Sequence, residues 1–272
     1  MNFFKTLQTI LESEKVEEKI ELFKIFYKAY RNGEIVFEEN FTIKEFEYPS
    51  YKSVCKIIPP QNVAKRKNID TDEGKIIFLH AIAHIEYSAI DLALDAAYRF
   101  KNMPKEYYDD WLEVADDEIR HFYMLEHILK KLGSCYGAVE VHDALFEASQ
   151  KTAHSLLDRM AVVPRYLEAN GLDATPQILK KLKRLPQDDI LKEIISALHV
   201  IVDEEIDHVL KGDRWFKYAC KNSGVQKDIY FQIIEKYYPN SFSKKRNLNV
   251  LGRLEAGFTC KELENIVLHK VC

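Results

Sequence analysis

Apolar residues recur at spacings of three and four along most of this chain, which is the period of an amphipathic α-helix. The pattern is strongest in four stretches, at about 72–101, 105–131, 141–169 and 188–211. Each stretch is long enough to cross the core of a domain, and turn-forming residues separate them. The pattern therefore predicts an all-α protein built around a four-helix bundle.

The regions outside these stretches are less regular. Residues 1–70 predict a helical start and then an irregular region, in which 35–37 and 41–43 have the composition of short strands. We expect this accessory segment to pack on the bundle, with the bundle itself spanning 71–211. Residues 212–272 predict a helical extension.

The bulk composition excludes several classes of protein. The 272 residues are 47% hydrophobic and 30% charged, which suits a large folded core and argues against disorder. A net charge of −4 argues against general binding to nucleic acids or anionic membranes. The five cysteines are scattered and form no C-x-x-C pair, so we expect no disulfide framework and a cytoplasmic location.

Targeting and nucleotide-binding signals are also missing from the sequence. The first ten residues are amphipathic rather than a signal peptide, and no stretch approaches the roughly 18 apolar residues of a membrane span. We therefore expect no membrane partner. No P-loop, G-x-G-x-x-G or G-x-S-x-G motif is present, so no cofactor-binding loop or nucleophile elbow is predicted.

Two Glu-x-x-His runs are the main candidates for a functional site in this sequence. Glu118 precedes His121 in the second predicted helix, and Glu205 precedes His208 in the fourth. Residues three apart on a helix lie on the same side, so a carboxylate and an imidazole can reach one ion. Two such pairs are half of the ligand set with which four-helix bundles bind two metal ions.

The other half of that set is one glutamate from each of two further helices. Glu86 lies in the apolar stripe of the first predicted helix, and Glu168 continues the stripe of the third. For any one of these glutamates a buried salt bridge is an equal alternative, because an isolated buried carboxylate needs a partner. Their occurrence on four successive helices, two with a histidine, favours a metal centre. The predicted ligands are Glu86, Glu118, His121, Glu168, Glu205 and His208.

Glu168 is the least secure of these ligands. Gly171 is predicted to end the helix three positions later, so a straight helix from 141 would carry Glu168 too far along the bundle. Pro164 offers a kink that would correct this. The rival ligands His154 and Asp158 share a face with Lys151 and Arg165, which we interpret as solvated.

Mixed carboxylate and imidazole ligation favours iron first, manganese or a mixed iron–manganese pair next, and zinc last. No catalytic residue is predicted beyond the ligands themselves. Tyrosines near the ligands in sequence, such as Tyr87, suggest a radical or gating role only weakly in a chain with 15 tyrosines.

At these residues the chain resembles the ferritin-like superfamily, and more closely an uncharacterised bacterial ferritin-like family (domain of unknown function 455). The resemblance covers roughly residues 60–260. It is carried by the strings Phe78–Glu86, Ala89–Ala96, Asp117–Phe122, Arg159–Asp173 and Glu205–Val209. The superfamily pattern implies a ferritin-like four-helix bundle and the same six metal ligands, but it supplies no reaction.

Three functions remain open at this stage. The first is a di-iron oxidoreductase that uses dioxygen or a peroxide on an unknown small-molecule or macromolecular substrate, for which the long terminal additions would shape an entrance. The second is a metal-binding or iron-handling protein without an organic substrate, and the third is a structural module. One ferritin-like branch modifies tRNA, so a tRNA substrate is not excluded, and a homodimer is also compatible with the sequence.

Overall fold

The computed structural model describes residues 1–242, 247–267 and 269–272. All regular structure among these residues is helical apart from two isolated bridges, at Asn2–Val36 and Ile57–Val141. The all-α prediction is confirmed, whereas the two short strands predicted in the irregular region are not formed. The helices are α1 (Phe3–Glu12), α2 (Val16–Arg31), α3 (Asp72–Arg99), α4 (Lys105–Lys131), α5 (Ala144–Lys151), α6 (Leu156–Val162), α7 (Ala169–Leu182), α8 (Asp189–Ser223), α9 (Ile229–Tyr237), α10 (Val250–Glu255) and α11 (Cys260–Val267).

The chain divides into two compact units, residues 1–147 and residues 148–272. In the first unit the long helices α3 and α4 pack against each other, and α1 packs on α3. The side chain of Thr71 caps α3 by accepting a hydrogen bond from the backbone N–H of Gly74, at 3.1 Å. The start of the first long helix was therefore predicted correctly.

Helix α3 is apolar around most of its circumference, and most of its residues are buried. An 18-residue window within it has a mean hydropathy of 1.4, so by length and composition alone it could cross a membrane. However, 72% of that window is buried inside the protein. A core helix has this pattern, so α3 is weak evidence for a membrane span.

The amino-terminal segment is fixed to α3 by a buried ion pair. Lys19 in α2 is fully buried, and its ammonium group pairs with Asp91 of α3. Ser50 donates a second hydrogen bond to the same carboxylate, at 2.6 Å. The irregular region between α2 and α3 is thereby held against the core by polar as well as apolar contacts.

The prediction of a single third helix is wrong, because the helix is interrupted between α5 and α6. Ser155 caps the start of α6 by accepting from the N–H of Asp158 at 3.1 Å. The guanidinium of Arg159, almost fully buried, donates to the carbonyl of Ser149 and to the hydroxyl of Thr152. These side chains satisfy the polar groups that the broken helix exposes.

From α6 the chain continues through a π-helical turn, Val163–Glu168, directly into α7. Pro164 lies in this turn and has no N–H to donate, which explains the wider local geometry. The predicted helix end at Gly171 is wrong: both Gly171 and Pro176 lie inside α7, where the buried residues Leu172 and Leu179 anchor the helix.

The fourth predicted helix is longer than its sequence pattern indicated. Helix α8 begins where the side chain of Asp188 accepts from the N–H of Leu191, at 2.7 Å. It continues through Gly212, where we had placed its end, and stops at Gly224, whose φ of +67° is the left-handed conformation that glycine adopts readily.

The cysteines depart from expectation at one place. Cys260, at the start of α11, is joined to Cys272 by a disulfide, while Cys55, Cys135 and Cys220 are free thiols. The chain therefore has one disulfide rather than a framework of them. The pairing was not predicted, because the two cysteines, 12 positions apart, match no recognised motif.

Candidate metal centre

Three of the predicted ligands lie together in the first unit. Glu86 comes from α3, and Glu118 and His121 come from α4. Nδ1 of His121 is 3.2 Å from a carboxylate oxygen of Glu86 and 3.3 Å from one of Glu118. Each of the three residues offers a ligand atom, and these atoms lie within 4.8 Å of one another. We refer to these three residues as the Glu/His cluster.

The Glu/His cluster is removed from solvent. Glu118 and His121 are completely buried, and Glu86 is 4% exposed. Burial alone would lower the pKa of His121, but the hydrogen bonds and charges of Glu118 and Glu86 outweigh it and raise the pKa to about 11. In the metal-free protein the imidazole is therefore held as a cation by the two glutamates.

The donor set of this cluster fits a metal ion. Two carboxylates converge on one ring nitrogen, and that arrangement needs a cation at its centre, either a proton or a metal ion. Within the cluster itself, one imidazole faces two carboxylates. A divalent cation would balance both charges and release the proton from His121, because a ligating histidine is neutral.

An aromatic wall in the same unit includes the chain neighbours of Glu86 and His121. Tyr87 and Phe122, which follow Glu86 and His121 in the chain, both contact the ring of Tyr136 at centroid separations of 5.2 Å. His84 is buried and bonded to Tyr136 and to the backbone of His142, so it has a packing role in this wall. Burial lowers its pKa to about 4, which keeps the ring neutral.

The remaining predicted ligands lie in the second unit. Glu205 and His208 are one turn apart on α8, with 3.7 Å between a carboxylate oxygen and Nδ1. His208 is completely buried and the side chain of Glu205 is 14% exposed. Glu168 is the last residue of the π-helical turn and is half-buried. Its role as a ligand stays a prediction.

Two aspartates that flank the second Glu-x-x-His run are exposed to solvent. Asp207 is largely exposed and pairs with Lys211 at 2.6 Å. Asp203 is exposed. The interpretation of these carboxylates as solvated charge therefore fits better than a role in orienting His208.

A family model described as "Protein of unknown function (DUF455)" matches residues 12–264 of this chain. The chain belongs to this family. A relative from Haemophilus influenzae (strain ATCC 51907 / DSM 11121 / KW20 / Rd), named "Uncharacterized protein", is 35% identical over 273 residues. That match covers 96% of this chain and 92% of the relative. No solved structure matches the chain.

Arg165, in the π-helical turn of this DUF455 chain, is a residue whose position was predicted wrongly. We expected it on a solvated face, but it is completely buried. Its guanidinium bonds to Asp213 at 2.8 Å and to Glu262 at 2.6 Å, and it stacks over the rings of Tyr230 and Phe258, both 4.5 Å away. The sequence did contain one sign of this burial, because Arg165 lies within the apolar run around Pro164.

Asp158 is also less exposed than expected, and its carboxylate is bound by two side chains of α9. Its carboxylate accepts a hydrogen bond from the hydroxyl of Tyr237 at 2.6 Å and pairs with Lys236 at 3.0 Å. These contacts lower the pKa of Asp158 even though its burial acts to raise it. A carboxylate already held by a phenol and an ammonium group is a poor rival to Glu168 as a metal ligand.

Proposed function

We propose that this DUF455 protein is a ferritin-like di-metal carboxylate protein and that it acts as an oxidoreductase with dioxygen or a peroxide. Iron is the proposed metal, and manganese or a mixed pair is the nearest substitute. The proposed ligands are Glu86, Glu118, His121, Glu168, Glu205 and His208. The substrate is left open.

The observation that carries this proposal is the Glu/His cluster of the first unit. Glu86, Glu118 and His121 are buried, and each offers a ligand atom within 4.8 Å of the others. Carboxylates and an imidazole that converge in a buried site are the donor types with which helical bundles bind iron or manganese.

The two units support the proposal in the same way. The first unit has one Glu-x-x-His run and one further glutamate, and so does the second, with Glu205, His208 and Glu168. A π-helical turn such as the one that ends at Glu168 is frequent at functional sites. Each unit thus carries the residue types of half of the ligand set found in di-metal helical bundles.

The chain's own residues would have separate tasks in such a centre. When bound, iron supplies one-electron redox chemistry and a site where dioxygen or a peroxide can be reduced. His121 and His208 would ligate as neutral imidazoles, so each must give up any proton that it holds. The carboxylates would balance the metal charge, and the apolar helices around them would exclude water.

The alternative is a protein that binds or handles iron without an organic substrate. The same ligands would serve it. It differs in its products, because a storage or buffering protein oxidises or holds iron and leaves no organic molecule changed.

The test is an anaerobic iron load of purified protein, followed by exposure to oxygen. Oxygen uptake and near-ultraviolet absorbance would be recorded together. We expect wild type to consume oxygen faster than the same amount of free ferrous iron and to develop absorbance, and we expect Glu118→Ala to do neither. The matched control is Glu113→Ala, because Glu113 is an exposed glutamate on the same helix.

Two results would contradict the proposal. Iron-loaded wild type that stays ferrous in air would remove the oxidoreductase function and leave a passive metal site. Equal oxygen uptake by wild type and Glu118→Ala would place the chemistry somewhere other than these ligands.

A further inference from the structure

The disulfide of the second unit links the two sides of helix α11. Cys260 is the first residue of this helix, and Cys272 lies 12 positions further along, in the segment that follows it. Both cysteines are exposed. A thiol in solution can therefore reach the bond, and breaking the bond would free the start of α11 from the segment beyond its end.

The first turn of α11, which contains Cys260, is held by reciprocal hydrogen bonds. The backbone N–H and the hydroxyl of Thr259 donate to the carboxylate of Glu262 at 2.8 and 2.9 Å. The N–H of Glu262 donates to the hydroxyl of Thr259 at 3.3 Å. This is the capping-box arrangement of a helix start. The disulfide is therefore attached to the same turn that positions Glu262.

Glu262 connects this turn to a buried cation. Its second carboxylate oxygen accepts a hydrogen bond from the guanidinium of Arg165 at 2.6 Å. Arg165 is completely buried, and Asp213 is its other carboxylate partner, at 2.8 Å. A buried cation that loses an ionic partner is destabilised, so this ion pair favours the docked position of α11.

Helix α11 needs such contacts to stay in place. It has only eight residues, and helices of that length are marginal in water without tertiary packing. Leu263, Ile266 and Val267 supply a buried apolar side. The disulfide adds a covalent restraint, because it limits the conformational freedom that the segment gains when it leaves the core.

From these contacts we propose that Cys260–Cys272 is a thiol–disulfide switch that controls the docking of α11 onto Arg165. The closed disulfide keeps α11 docked, and the open dithiol lets the helix leave. An external dithiol opens the bond. One of its thiolates attacks a cysteine sulfur, the S–S bond breaks, and a mixed disulfide forms.

The second thiol of the reagent then completes the exchange. It displaces the protein sulfur, so the reagent becomes a disulfide and the protein gains two electrons and two protons as two thiols. An external disulfide, such as oxidised glutathione, reverses the reaction and returns to two thiols. No metal takes part, so this inference does not depend on the proposed function.

The exposure of both cysteines favours a switch over a permanent staple. Exposed disulfides are more easily reduced than buried structural ones. The loop that this bond closes is also short, and short loops gain less stability from closure than long ones. Cys135 is exposed as well but is a free thiol, so it provides a matched control.

The test is hydrogen–deuterium exchange of the full chain, read by mass spectrometry before and after reduction with dithiothreitol. Wild type needs no substitution for this measurement. We expect amides of α11 to exchange roughly tenfold faster or more after reduction, because the helix opens more often. Amides of α3 in the first unit should not change.

Two cysteine variants separate this bond from other effects of the reductant. The double variant Cys260→Ser/Cys272→Ser should exchange in α11 like reduced wild type and should not respond to dithiothreitol. Cys135→Ser should respond as wild type does. A response that persists in the double variant would overturn the assignment to Cys260–Cys272.

The ion pair with Arg165 is tested by Glu262→Gln in the oxidised protein. Glutamine also serves in a capping box, so the helix start is kept while the charge is lost. We expect faster exchange of α11 in Glu262→Gln than in Glu264→Gln, which changes a neighbouring glutamate of the same helix. Equal exchange in these two variants would overturn the docking role of Arg165.

A glutathione titration decides between switch and staple. In a buffer poised at a cytosolic potential, the bond should open, as counted by thiol labelling of Cys260 and Cys272. A bond that stays closed in this buffer would be a structural staple and would overturn the switch. So would unchanged α11 exchange in protein whose bond is shown to be open.

Discussion

Gly212 of α8 lies directly against Pro164 of the π-helical turn. A Cβ atom built on Gly212 would lie 2.5 Å from Cγ of Pro164 and closer still to its Cβ, so no larger residue fits. Glu168 is four residues beyond Pro164, and His208 is four residues before Gly212. This contact therefore sets the distance between the two segments of the second unit that carry proposed ligands.

Gly212→Ala should force α8 away from the turn. We expect a loss of about 1–3 kcal/mol in the free energy of unfolding, since a methyl group is forced into a filled contact. We also expect lower iron occupancy, because Glu168 and His208 move apart. Chemical denaturation and elemental analysis would measure the two effects.

The control is Gly171→Ala. Gly171 also lies inside a helix, α7, but nothing is within 4 Å of the position that a Cβ would take. Alanine should stabilise the protein there by up to about 1 kcal/mol through helix propensity, and iron occupancy should not change. Equal metal occupancy in both variants and wild type would show that the contact does not position ligands.

Replacing Glu168 and replacing Asp158 should have different effects on metal binding. Glu168→Ala should reduce iron occupancy as much as Glu86→Ala does. Asp158→Ala should leave occupancy largely intact and lower only the free energy of unfolding, because it removes the bonds to Tyr237 and Lys236. The reverse ranking by elemental analysis would transfer the ligand role to Asp158.

The stability of the metal-free protein should depend on pH through His121. Its pKa is raised from 6.5 to about 11 in the folded state, because Glu118 and Glu86 outweigh the effect of burial. Because the pKa of His121 is higher in the folded state, its protonation stabilises the folded protein fully below the unfolded value of 6.5. This stabilisation is lost as the pH rises towards about 11.

Denaturant unfolding of wild type and His121→Gln at several pH values would measure this. The difference between them, taken without metal, should shrink from neutral to alkaline pH. A difference that grows with pH would mean that His121 is neutral in the folded protein and that the glutamates do not hold its proton.

The buried pair of Lys19 and Asp91 should be a large contributor to stability when one partner is removed. Lys19→Met leaves Asp91 without its cation, which should cost roughly 3–5 kcal/mol. Adding Asp91→Leu should recover part of this loss. The exposed pair of Lys192 and Asp189 is the control, and Lys192→Ala should cost no more than about 1 kcal/mol. Similar losses at both sites would contradict the assigned burial.

The parts of the fold that the sequence predicts well are those with a regular apolar period. Helices α3 and α4 follow such a period from capping residue to turn, so their limits were predicted closely. Glu86, Glu118 and His121 each lie on the buried side of a helix, and the packing of α3 against α4 brings them together.

The features that the sequence did not predict depend on contacts between distant residues. Gly171 was expected to end the third helix, and the fourth was expected to end at about residue 211, just before Gly212. In the structure, buried leucines hold α7 together past Gly171, and Gly212 is needed for the approach of Pro164. Similarly, Arg165 is buried only because Asp213 and Glu262 come from remote segments.

The central claim is that the chain binds two metal ions through the proposed ligands. Elemental analysis of cleanly expressed wild type beside Glu118→Ala tests it most directly. We predict about two ions per chain in wild type, as expected for a two-metal helical bundle, and little or none in the variant. Equal, near-zero metal in both proteins after loading would contradict the claim.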